Sequence, residues 1–126
     1  MSRRALAWAP AVAWAAAIFV VSSRHSVGIP SFWSADKVLH FAAYALLGFL
    51  VAHGAAATGP GRRGAVAAGW AYAFSDELHQ AFVPGRSADP ADWAADALGV
   101  LAGTFVYARL RAWLRGRTPA MAGTDR

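Results

Sequence analysis

Four long, largely apolar stretches constrain this chain more than any other feature. The first, ALAWAPAVAWAAAIFVVSS, covers residues 5–23 and carries no charge. The others run over residues 38–57, 64–83 and 90–114. Each is near the roughly 20 residues that a helix needs to cross a bilayer core. In lipid, backbone N–H and C=O groups must be satisfied internally, which leaves helices or closed barrels. The stretches are separated by turn-forming segments such as TGPGRR and PGRSADP, whose Gly and Pro residues break helices. The expected fold is therefore an all-α integral membrane protein, a four-transmembrane-helix up-down bundle over residues 1–117, followed by a disordered cytoplasmic tail at 118–126.

Composition agrees with this reading. Of 126 residues, 57 % are hydrophobic and 15 % charged, against about a quarter charged in soluble domains. The absence of cysteine excludes disulfides, thiol nucleophiles and Cys-ligated zinc. The first stretch has a rival reading as a cleaved signal peptide, with Arg3 and Arg4 ahead of an alanine-rich core. Its length exceeds the usual apolar region of about 7–15 residues, which favours a retained span.

The net charge of +5 raises the possibility of nucleic acid. The basic residues stand at the ends of the apolar runs, however, which is a topology signal and not a binding stripe. On the four-span reading, Arg3, Arg4, Arg62, Arg63, Arg109, Arg111, Arg115, Arg117 and Arg126 fall on one side, and Arg24, Lys37 and Arg86 on the other. The excess of positive charge places both termini in the cytoplasm of a bacterial-type plasma membrane. No nucleic-acid partner is expected. Membrane lipids are, and a homodimer is compatible with the pattern.

Against this background one window stands out. FSDELHQAFVPGRSADPADWAAD, residues 74–96, holds most of the acidic residues of the chain. It forms the end of the third stretch, an external loop and the start of the fourth. Asp36, His40, Tyr44 and Gly48 recur every four residues at the start of the second stretch and so share a helix face. Glu77 and Gln80 share a face on the third, with Asp76 and His79 beside them, and Asp92, Asp96, Gly99 and Gly103 align on the fourth. The G-x-x-x-G spacing of the last pair permits close helix approach. At 1.5 Å per residue, His40, Glu77 and Asp96 lie at similar depth, roughly 5–10 Å below the outer boundary.

Intramembrane carboxylates are costly and by default mark functional sites facing the bundle interior. His40 and Arg86 are the expected partners of these carboxylates, and Asp92, two residues after Pro90, is expected to cap its helix as well. His25 and His53 lie off the polar faces and are assigned no chemistry. The Trp residues sit mostly near boundaries, as an aromatic belt requires.

DKVLHFAAYALLG at 36–48, SDELHQAFVPGRSADPADWAAD at 75–96 and ALGVLAG at 97–103 resemble the VanZ-like family of membrane proteins. The resemblance rests on Asp36, Lys37, His40, Phe41, Tyr44, Glu77, Gln80, Arg86, Asp92 and Asp96 in order. One position departs from it: Asp96 stands where the family commonly has Asn. The family takes its name from a protein linked to teicoplanin resistance, which implies a role at the cell envelope and transfers no reaction.

The leading expectation is an outward-facing pocket, formed by Asp36, Lys37, His40, Tyr44, Glu77, Gln80, Arg86, Asp92 and Asp96. It would bind an amphipathic ligand such as a lipid-linked cell-wall intermediate or a lipoglycopeptide. An enzyme acting on lipid-linked substrates is the alternative, with Glu77 and His40 as an acid-base pair. A small dimeric carrier and a purely structural polar cluster are two more. No cofactor is expected. No metal is expected either, because no helix carries H-E-x-x-H or a similar spacing; a metal variant would draw on His40, Glu77, Asp92 and Asp96.

Overall fold

A computed structural model describes residues 2–24 and 33–117, apart from the side chains of Trp33 and Ser34. The expectations for His25, Trp33 and the 118–126 tail lie outside what it describes. The described residues form helices joined by turns and a short irregular segment at 86–89: α1 (Arg3–Leu6), α2 (Ala9–Ser22), α3 (Trp33–Thr58), α4 (Gly61–Gln80) and α5 (Pro90–Arg117). Four long helices thus occupy the four apolar stretches. By length and apolarity two segments suffice to cross a membrane, Arg3–Ser22 and Ala35–Thr58. The carboxylates of α4 and the arginines of α5 lower the apolarity of the other two.

The helix ends follow local chemistry. Pro10 lacks an N–H and crowds the carbonyl four residues back, so the first stretch breaks at Ala7–Trp8 into the single turn α1 and the longer α2. Helix α3 starts earlier than the apolar pattern alone suggests, and Asp36 and Lys37 lie within its first turns. Gly59 and Gly61 adopt positive φ (111° and 67°) in the short α3–α4 turn, a conformation favoured by glycine.

Cross-helix contacts give the helix directions. Tyr72 donates to the Ala15 carbonyl at 2.6 Å and Ser22 to Asp76 at 2.9 Å, so α2 and α4 run in parallel. His40 faces Asp96 and the Phe49 ring meets Tyr107, so α3 and α5 also run in parallel. Trp8 packs on Gly54 while Trp14, further along, reaches Ala43, so α2 and α3 run antiparallel. The most extensive helix contact is α3 on α5, while α2 rests on α3 and α4.

Glycine is what brings α3 and α5 together. A Cβ at Gly48 would sit 2.5 Å from the Val100 carbonyl oxygen, and Cβ atoms at Gly99 and Gly103 would overlap the Phe41 and Ala45 carbonyls. The aligned small residues on α5 therefore act as a close-contact face, as their spacing suggested. Three of the indoles also tie helices together. Trp8 donates to Thr58 Oγ1 at 3.2 Å, Trp14 to the Ala43 carbonyl at 2.9 Å, and Trp70 to the Ala97 carbonyl at 3.1 Å, each joining two helices.

Candidate functional site

The start of α3, the end of α4 and the start of α5 meet at one end of the molecule, and the polar window is folded into that junction. Asp96 is fully buried, and Asp76, Glu77, Gln80 and Asp92 are nearly so. The (i, i+4) spacing on α3 turns Asp36, His40 and Tyr44 toward these groups.

Three clusters result, the second and third sharing Asp92. In the first, Asp76 Oδ2 accepts hydrogen bonds from Tyr44 Oη at 2.8 Å, Ser22 Oγ at 2.9 Å and Gln80 Nε2 at 3.3 Å. In the second, His40 Nδ1 lies 2.9 Å from Asp96 Oδ1, and its Nε2 faces Asp92 Oδ2 at 3.8 Å. In the third, Lys37 Nζ bridges Asp89 Oδ2 at 2.7 Å and Asp92 Oδ1. Glu77 Oε2 accepts from the Asp89 backbone N–H at 3.1 Å and ties the loop to α4. In that loop, the hydrogen bond from the Lys37 ammonium holds the Asp89 carboxyl below the usual carboxylate range. Among the described residues, one oxygen on each of Asp76, Glu77 and Asp96 is buried without a hydrogen-bond partner.

Beside these clusters opens a cleft of about 370 Å³ between α2, α3 and α4. Its walls are largely apolar, with Trp14, Ile18 and Val21 on α2 and Leu39 on α3, while His40, Tyr44, Asp76 and Gln80 form a polar back wall and Arg86 contributes from the loop. Asp36 also lines this cleft. The nine residues expected to form a pocket therefore lie at one end of the fold, although they divide between the cleft and the ion-pair cluster behind it.

Two expected pairings differ. Among the described residues Arg86 makes no ion pair, and the cationic partner of the loop carboxylates is Lys37. Asp92 is not the cap of α5. That position belongs to Asp89, whose Oδ1 accepts from the Ala91 N–H at 2.8 Å, with Pro90 as the first helical residue. This Asp-Pro opening is a readable helix start, and it frees Asp92 to turn inward. The carboxylate at Asp96, where the resembling family commonly has Asn, faces the His40 imidazole.

The sequence reading missed Ser22 and Ser23. Ser23 Oγ lies 2.9 Å from His79 Nε2, and the Phe19 ring stacks on the same imidazole at 4.7 Å. Two adjacent serines closing an apolar run were the available signal. His53 is exposed at the other end, edge-on to Tyr107, and it remains outside the site.

Neither the curated proteins nor the solved structures contain a match to the chain. The VanZ/LLP1 family profile, in contrast, matches residues 3–112, which include all of the helices up to the arginine-rich end of α5 and every residue of the clusters. The chain belongs to the VanZ/LLP1 family.

Proposed function

We propose that this VanZ-like protein is a four-span envelope protein that binds an amphipathic ligand at the outer face of the membrane. The observation that carries the reading is the cleft. It pairs an apolar wall on α2 and α3 with a polar back wall and an arginine that no described carboxylate neutralises. An acyl or isoprenoid chain fits the apolar side, and an anionic head group fits Arg86, since guanidinium recognises phosphate and carboxylate oxygens bidentately. A lipid-linked cell-wall intermediate or a lipoglycopeptide has this chemistry, and the latter would connect the site to teicoplanin-type resistance. On this topology both termini are cytoplasmic, and α4 and α5 span the membrane with their carboxylates sheltered by α3.

Mass spectrometry of the detergent-purified protein tests the reading. An anionic amphiphile should co-purify with the wild type and be depleted in Arg86→Ala and in Ala17→Trp, which fills the cleft from α2. Lipid content equal to that of an unrelated membrane protein, and unchanged in both variants, would end it.

A further inference from the structure

The three buried carboxylates at the junction are unequally matched. Asp76 has three neutral donors, Glu77 one backbone N–H, and Asp96 one imidazole. Lys37, the nearby ammonium, is engaged by Asp89 and Asp92. Behind it, Glu77 and Asp96 are 6 % and 0 % exposed, and each keeps one oxygen with no hydrogen-bond partner among the described residues. Leaving buried charged oxygens unpaired is strongly unfavourable unless a counter-charge is supplied. One ligand atom from each of His40, Glu77 and Asp96 can be chosen so that all three lie within 4.8 Å of one another. The residues come from three different helices, α3, α4 and α5, which is why no spacing along one helix reveals them.

We propose that His40, Glu77 and Asp96 bind a divalent first-row transition ion of the Mn²⁺ or Zn²⁺ type. The donor set is one imidazole nitrogen with carboxylate oxygens. Imidazole suits zinc and iron, carboxylate suits manganese, and a mixed set disfavours Mg²⁺ and Ca²⁺, which prefer oxygen alone. The 2.9 Å between His40 Nδ1 and Asp96 Oδ1 matches the separation of about 3 Å between neighbouring ligands bonded at about 2.1 Å to one six-coordinate ion. With the imidazole proton on Nε2, toward Asp92 Oδ2, the Nδ1 lone pair points into the trio. Asp92 Oδ2, at 3.8 Å from Nε2, lies just outside hydrogen-bond distance and would have to close on the ring to orient it as outer carboxylates do for metal-bound histidines. The ion would neutralise the excess charge and hold α3, α4 and α5 in register. This site does not depend on an amphiphile in the cleft, so bare ions probe it alone.

Isothermal titration of chelator-treated full-length protein in detergent with MnCl₂ and with ZnCl₂ is the test, with MgCl₂ for selectivity. One ion per chain is expected, with a micromolar or tighter Kd, preference over Mg²⁺ and a Tm that rises with the ion and falls back with EDTA. Glu77→Gln and Asp96→Asn should each weaken binding by more than about tenfold, while Asp36→Asn leaves it within a few-fold. The wild type decides the question even if a variant fails to fold. No saturable binding of either ion overturns the proposal, as does an infrared band of a neutral buried carboxyl that Glu77→Gln removes and Mn²⁺ leaves unchanged. Binding lost in Asp36→Asn and kept in Glu77→Gln also overturns it, since the ion would then sit with Asp36, His40 and Asp92, the neighbouring trio.

Discussion

Substituting Gly48 by alanine should damage a site two helical turns away. The added Cβ would lie 2.5 Å from the Val100 carbonyl oxygen, and ordinary contact begins at 3.4 Å, so α3 and α5 must part by 3.4 − 2.5 = 0.9 Å. If α5 moves as a rigid rod, the 2.9 Å between His40 Nδ1 and Asp96 Oδ1 lengthens by up to the same 0.9 Å, to at most 3.8 Å, past the 3.5 Å limit of a hydrogen bond. Overpacking costs about 1–3 kcal/mol, and the lost interhelical bond adds about 0.6–2 kcal/mol in a bilayer setting. The expected destabilisation is therefore about 2–5 kcal/mol. Reversible unfolding in mixed micelles, followed by tryptophan fluorescence, measures the first part, and the His40 ring ¹⁵N shifts report the second. Gly116→Ala is the control, because nothing lies within 4 Å of a Cβ there. Wild-type stability in Gly48→Ala, with unchanged His40 shifts, would refute the link between the glycine face and the ion-pair cluster.

Further outcomes follow from individual contacts. Tyr44→Phe removes the 2.8 Å bond to Asp76 and should cost about 1–3 kcal/mol; a double-mutant cycle with Asp76→Asn that shows no coupling would contradict that. The Asp89 carboxyl is held below its ordinary value of 3.8, so its ion pair contributes fully above the unfolded carboxylate range and is lost as pH falls through the lower folded value. The stability advantage of wild type over Asp89→Asn should accordingly be flat near neutrality and shrink in acid, and an advantage independent of pH throughout would argue against the pairing. Ser87→Cys, in a chain without other thiols, should react with a membrane-impermeant maleimide on intact cells while Ala122→Cys does not. The reverse labelling would move the cleft to the cytoplasmic face.

Much of the site was legible because a helix converts spacing into facing. Asp36, His40 and Tyr44 at intervals of four had to share a side, and Asp92 and Asp96 likewise, so their convergence needed only neighbouring helices. The glycine face of α5 was legible for the same reason. Partner choice was less accessible. Arg86 and Lys37 are both cations at the same end, and only the path of the 81–89 loop decides that Lys37 reaches Asp89 and Asp92. The role of Ser22 depends on α2 lying beside α4, a relation between elements more than 50 residues apart. Asp92 was misread as a cap because the Asp-Pro pair just before it was passed over.

The pairing of α3 with α5 also constrains how the protein is made. Lys37 and His40 meet Asp92 and Asp96 across 55 and 56 residues of chain, so a chain emerging from the ribosome presents the basic half of the pair long before the acidic half exists. Until α5 arrives, α3 carries polar groups with no lasting partner, and α4 brings Asp76 and Glu77 into the same situation. On the proposed four-span topology, integration into the bilayer is then completed by the last helix. A chain cut short before Pro90 would leave three helices with their polar faces open, the kind of intermediate that membrane quality control degrades.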